Sequence, residues 1–289
     1  MTRLTLDDAE LDGVFACPDT LERVPGVLAL GGSDGGIPTY FQRLLARERC
    51  ACLALAYHGT PKTQPALVEV PLERLEHALR WLRDHPKVAT RDGRVAVVGA
   101  SKGAELALVL AATFPDLVGP VVAYTPSSVV WSGIDFSAAE PPMRSSWSKG
   151  GKPLAFVPVP RGVPPLQSER GLGFVPIYDR GLDGVQPDDA ATIPIERTTG
   201  PVLLISGGDD RMWPARRMCR MLVERAQRLK RGHLVRHLDF ADAGHALFAV
   251  ERESELQSPL PVDLGGSEAA TARAHASAWP GVVRILCGA

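Results

Sequence analysis

Arg94 to Val98 (RVAVV) runs directly into Gly99-Ala100-Ser101-Lys102-Gly103, and that pentapeptide runs directly into Ala104–Ala112 (AELALVLAA). A short β-branched run stopped by glycine reads as a buried strand, and the longer alanine- and leucine-rich run that follows reads as a helix. With only five residues between them the chain must reverse sharply, and glycines at both ends of the turn remove the Cβ atoms that would collide there. Such a G-x-S-x-G turn holds the Ser101 hydroxyl out at the edge of a sheet. It also puts the Lys102 N–H at a helix N-terminus, where unpaired donors and the helix dipole favour negative charge.

The rest of the chain supplies the sheet that this unit requires. Val24–Leu30, Cys50–Tyr57, Val121–Tyr124, Val202–Ser206 and Leu234–Phe240 are further strand-like runs. Helix-period stretches separate several of them: Tyr40, Phe41, Leu44 and Leu45; Leu72, Leu75, Leu79 and Leu82; Met218, Met221, Leu222, Ala226 and Leu229. At least six strands alternating with crossover helices give an α/β fold, with a mainly parallel sheet flanked by helices. At 289 residues, with 45% hydrophobic and 22% charged content, one domain spanning 1–289 is expected. Residues 134–196 break the rhythm and carry ten of the 25 prolines. A structureless loop of that length does not suit a compact domain. This stretch is therefore expected to pack as a Pro/Gly-rich cap, its apolar pieces Leu154–Val159 and Phe174–Tyr178 covering a pocket.

A serine hydroxyl becomes a nucleophile only when a base takes its proton, and the base must be oriented by a third group. Strand Val202–Ser206 leads into Gly207-Gly208-Asp209-Asp210, and His245 follows Leu234–Phe240. Both lie at the C-terminal ends of strands, where open α/β sheets gather their site residues. Asp209 and Asp210 adjoin in one turn, where only one can reach the imidazole; the G-x-x-D-x-x-x-P pattern usual at this place in proteins of the kind this chain resembles, counted forward from Gly207 or back from Pro214, falls on Asp210. The expected catalytic set is thus Ser101, Asp210 and His245. Of the other histidines, His77, His85, His233, His237 and His275 sit within or beside helices and strands, where surface or core roles are expected; His58, at a strand end, is a candidate pocket residue. Gly31-Gly32-Ser33-Asp34-Gly35-Gly36 lacks the spacing of a nucleotide loop, so backbone N–H groups of Gly32 and Ser33 are expected to join Lys102 in an oxyanion hole. Phe156 and Phe174 are the expected walls of a substrate pocket.

The 32 basic and 33 acidic residues nearly cancel, so no nucleic-acid or membrane partner is expected. Acids in MTRLTLDDAELDG occupy the place of a signal peptide's apolar stretch, and no apolar run approaches a membrane span; a soluble, cytoplasmic protein is expected. Five scattered cysteines with no C-x-x-C pair point to reduced, buried thiols rather than disulfides or a zinc site. Neither metal nor cofactor is expected, and oligomeric state is not readable.

Taken together, LALGG, LALAYHGTPKT, RWLRDHPKV, VAVVGASKGAELAL, IPIER, PVLLISGGDDRMWP, DAGH and RAHASAW run in order from about Val24 to the C-terminus. In these the chain resembles the C-terminal catalytic domain of the acyl-CoA thioesterase and bile acid-CoA:amino acid N-acyltransferase family. The resemblance implies an α/β-hydrolase fold and an acyl-enzyme formed on Ser101 from a small-molecule thioester of coenzyme A or pantetheine, the latter including a carrier protein. It also implies Asp210 and His245 as the acid and base. Serine stands where the amidating members use cysteine, which favours hydrolysis; an acyltransferase, or a carboxylesterase resembling dienelactone hydrolase, is the alternative. Animal members carry a β-sandwich ahead of this domain, whereas about twenty residues precede Val24 here, and the cap interior has no counterpart among these stretches.

Overall fold

Side chains of successive strand residues point to opposite faces of a sheet, so a strand covered on both sides must be apolar throughout. The computed structural model, which describes residues 2–6, 8–20, 22–45, 47–248 and 261–288, shows this arrangement. In chain order the first elements are β1 (Thr2–Thr5), β2 (Asp12–Cys17), β3 (Val24–Leu30), α1 (Thr39–Leu45), β4 (Ala51–Ala56), β5 (Val70–Pro71), α2 (Leu72–Asp84) and β6 (Val88–Ala89). Then come β7 (Val95–Ala100), α3 (Lys102–Thr113), β8 (Val118–Tyr124), β9 (Trp147–Lys149), β10 (Lys152–Pro153), β11 (Leu166–Ser168), β12 (Gly171–Gly173) and α4 (Val175–Leu182). β13 (Val202–Gly207), α5 (Ala215–Arg228), β14 (Val235–Phe240) and α6 (Glu268–Cys287) follow among the described residues.

The main sheet has the order β1-β2-β4-β3-β7-β8-β13-β14, with β6 added to β3. The six strands read from the sequence are β4, β3, β7, β8, β13 and β14, and every pairing among them is parallel. Antiparallel β1 and β2 extend one edge beyond that reading. Leu28 and Leu30 of β3 and Val97 of β7 pack on one face with α2, α3 and α5, while Val27, Ala29, Ala96 and Val98 pack on the other with α1 and α6. Helix α2 shows why such crossovers form: Leu72, Leu75, Ala78, Leu79 and Leu82 make one buried stripe, while its charges lie on the other faces. Each fully buried leucine of this kind contributes roughly 2–3 kcal/mol.

Among the described residues no helix is long and apolar enough to cross a membrane. The five cysteines are free; four are buried and Cys287 is half-buried. Residues 134–196 are not structureless. They form the hairpin β11–β12, the short strands β9 and β10 and helix α4, and Trp147 is fully buried in the main core.

Candidate active site

Because β3, β7, β13 and β14 are parallel, the loops leaving them open at one edge of the sheet. Ser101 caps α3 with φ 53° and ψ −119°, a strained backbone for a residue with a Cβ. Its N–H donates to Tyr124 O at 2.9 Å, and its own carbonyl accepts from Ala104 and Glu105. The two glycines are required by close approach. A Cβ on Gly99 would lie 2.1 Å from Gly103 O, and one on Gly103 would lie 2.1 Å from Gly31 O.

His245 and Asp210 come together at the ends of the neighbouring strands, with Nδ1 of the imidazole 2.8 Å from Asp210 Oδ2. Both side chains are buried. The other oxygen of Asp210 accepts the N–H groups of Met212 and Trp213 at 2.9 and 3.2 Å. Asp209 points elsewhere. It pairs with Arg211 at 3.2 Å and accepts the Gly266 N–H at 2.8 Å. The segment 261–266 pins this corner, since the His245 N–H donates to Leu264 O at 2.7 Å and Asp210 bridges to Gly265. Behind it the buried Asp263 accepts Ser168 Oγ and ion-pairs with Arg170 and Arg211.

Ser101 and His245 open on one cavity of about 520 Å³, which Gly32, Ser33, Met212, Phe248, Val262 and Leu264 also line. A Cβ on Gly32 would lie 3.7 Å from that of Ser101, so the glycine loop runs beside the serine. The rest of the wall comes largely from the proline-rich stretch: Ile134, Phe136, Val159, Phe174, Ile177 and Tyr178. Phe136, at 60% exposure, stands at the mouth. Three carboxylates, Asp34, Asp135 and Glu140, lie in the lining, with no lysine or arginine among the described residues. Glu140 is paired with Arg161 outside it.

Of the expected pocket residues, only Phe174 lines the cavity. Phe156, half-buried, packs instead against the main core. His58 is also outside the lining, folded under the glycine loop with its Nδ1 unpartnered, and burial pushes its imidazole down to about 4. A position at a strand end does not fix which way a side chain points, and His58 turns under the glycine loop; Phe156 lies past β10 in irregular chain, where nothing in the sequence fixes its direction. Sequence reading also missed the buried pair Lys102–Glu105, whose Nζ and Oε2 are 2.7 Å apart. Burial pushes the Lys102 ammonium down and the Glu105 carboxyl up, against their mutual attraction. The signal was present: these are the only two charges in an otherwise apolar helix.

A family model described as "BAAT / Acyl-CoA thioester hydrolase C terminal" matches residues 70–288. Human acyl-coenzyme A thioesterase 2, mitochondrial, is 26% identical over 92% of this chain and 53% of its own length. Mouse acyl-coenzyme A amino acid N-acyltransferase 2 is 24% identical over 85% of this chain and 54% of its own. The chain thus spans about half the length of these curated relatives. Among solved structures, a putative dienelactone hydrolase from Klebsiella pneumoniae superposes with a TM-score of 0.57 at 15% identity, covering 96% of this chain and 92% of the other. That likeness establishes the α/β-hydrolase type of fold.

Proposed function

The chain belongs to the BAAT / acyl-CoA thioester hydrolase C-terminal family, and from that premise we propose that it is a serine hydrolase cleaving acyl thioesters through an acyl-Ser101 intermediate. The acyl carrier is coenzyme A or a carrier-bound pantetheine. The observation that carries the reading is the 2.8 Å contact of His245 Nδ1 with Asp210, beside a strained Ser101 that opens on the same cavity.

In this mechanism Asp210 holds the tautomer with the proton on Nδ1, leaving Nε2 free to accept the Ser101 proton. Ser101 Oγ attacks the thioester carbonyl, and its proton passes to His245. The resulting oxyanion is held by the N–H groups of Lys102, at the first position of α3, and of Gly32 and Ser33 in the adjoining loop. Collapse breaks the C–S bond and the thiol leaves with the proton from His245. Water then attacks the acyl-serine, His245 again takes the proton, and a carboxylic acid is released as Ser101 recovers its hydrogen. The apolar wall of Ile134, Phe174, Ile177 and Tyr178 takes the acyl chain.

The relative that is an amino acid N-acyltransferase favours a second reading, in which an amine replaces water at the last step. A release assay across thioesters and oxygen esters, run with and without an amino acid acceptor, tests both. Free acid from thioesters, unchanged by the acceptor, is the expected result; an amide product would select the second reading, and oxygen-ester preference would overturn both.

A further inference from the structure

One set of buried groups lies behind both sides of the anion-binding loop without touching the cavity. The Tyr57 hydroxyl is 2.8 Å from the carbonyl oxygens of both Gly31 and Gly32, so it holds the glycine loop by the peptides that precede the Gly32 and Ser33 N–H groups. The Tyr57 ring meets that of Trp147 edge-on at 5.6 Å. Trp147 Nε1 donates to Glu105 Oε1 at 2.8 Å, and Glu105 Oε2 accepts from Lys102 Nζ at 2.7 Å. That ammonium also sits 5.3 Å over the Trp147 ring. Glu105 further accepts the Trp131 N–H at 3.3 Å. Gly103 is in backbone contact with Gly31, so the serine turn and the glycine loop already touch; the network fixes each from behind.

We infer that Tyr57, Trp147, Glu105 and the Lys102 side chain are positioning residues that set the distance between the two sides of the oxyanion hole. This rests on the reading of Ser101 as nucleophile. It also gives Trp147, which lies in the proline-rich insertion, a part beyond covering a pocket: the insertion supplies the aromatic ring that joins the two sides. A buried ion pair is a poor source of stability, because both charges must leave water. A pair placed one residue from the nucleophile, with every remaining oxygen of the carboxylate engaged, is instead suited to fixing geometry. Displacement of an oxyanion donor by a fraction of an ångström costs the transition state more than the bound substrate.

The test uses Tyr57→Phe, which deletes the hydroxyl, and Trp147→Phe, which keeps an aromatic ring and deletes the N–H. Three measurements are made on each: thioester turnover, affinity for an alkyl boronic acid that forms a tetrahedral adduct on serine, and affinity for an uncleavable thioether analogue of the substrate. The expected result is a fall in kcat of about 10- to 100-fold matched by a similar loss of boronate affinity, with thioether affinity held within about twofold. A kcat within about twofold of wild type in both variants would overturn the inference. So would a fall shared equally by the thioether, since that marks a general loss of structure. Fluorophosphonate labelling of wild-type Ser101 separates the two levels: without it the reading of the nucleophile fails, and with it only the network is at issue. Should Trp147→Phe not fold, Tyr57→Phe carries the test alone.

Discussion

At Ser101 the backbone is strained, with φ at 53°, yet its neighbours hold it there: Tyr124 O accepts its N–H, and two α3 donors reach its carbonyl. Those contacts are backbone ones, so Ser101→Ala is expected to fold normally and to lose turnover by about 10³-fold or more, leaving oxyanion and binding contributions. A thermal melt alongside the thioester assay checks both halves. The paired aspartates give a sharper test. Asp210→Asn is expected to cost about 10³–10⁴ in kcat, because an amide in place of Oδ2 favours the wrong imidazole tautomer. Asp209→Asn weakens the Gly266 and Arg211 contacts, so it is expected to cost roughly 0.5–1.5 kcal/mol of stability and less than about tenfold in rate. Near-normal kinetics for Asp210→Asn would reverse the choice of aspartate. Which of the two carboxylates meets the imidazole was legible from the pattern shared with related hydrolases, in which Gly207 and Pro214 bracket the aspartate that lies 2.8 Å from His245. No such bracket flanks His58 or Phe156, and their placement away from the cavity could not be read.

Among the elements, legibility follows how much of each one's stability is local. Five of the six parallel strands, β3, β4, β7, β8 and β13, are buried almost throughout and so appear in the sequence as nearly unbroken apolar runs, whereas β14, at the end of the sheet, is only partly buried and carries Arg236, His237 and Asp239. β2, held between the edge strand β1 and β4, and the two- and three-residue strands of the insertion owe their form to tertiary pairing and leave no periodic trace. Helix α4 is eight residues long, with proline in its first turn, and it brings Ile177 and Tyr178 to the cavity while Phe174 caps it. In Phe174→Ala the acyl wall recedes, so the ratio of kcat/KM for long over short acyl thioesters is expected to rise by about tenfold. Phe156→Ala, outside the lining, is the control: it is expected to lose about 1–3 kcal/mol of stability with acyl preference unchanged. Equal shifts in both would detach the cavity from substrate selection. The junction of α3 with β3 is less forgiving. An alanine Cβ at 103 would meet two backbone carbonyls, at 2.1 and 2.5 Å, which cannot rotate away. Gly103→Ala is therefore expected to destabilise the protein by more than about 2 kcal/mol, read from its denaturant midpoint.

For the molecule as a whole, parallel strands buried on both faces leave their polar work to one edge, and the residues packed beneath that edge tie its chemistry to global stability. His58 is the clearest case. It is 3% exposed, with no partner for Nδ1, and burial alone holds its imidazole near 4 in the folded chain. In the unfolded chain the same group titrates near its ordinary value of about 6.5. Between those two values the unfolded state binds a proton that the folded state refuses, so stability falls as pH falls through that window and the dependence ends once both states are protonated. The loss attached to this one group is on the order of 3 kcal/mol. His85 and His237, also lowered by burial, act in the same direction. Carboxylates held low by arginine, such as Glu69 and Glu196, withdraw their support only further down, below the ordinary carboxylate range. The measurement that isolates His58 is a pair of denaturant titrations, wild type against His58→Asn, at half-unit steps from pH 8 to pH 4. Every other group is common to the two proteins, so the difference between the curves belongs to His58. It is expected to be flat above pH 7 and to move in favour of His58→Asn by about 2–3 kcal/mol on the way down to pH 4. A difference that stays flat throughout would mean that the imidazole takes up its proton inside the folded protein, and that burial beneath the glycine loop does not hold it neutral.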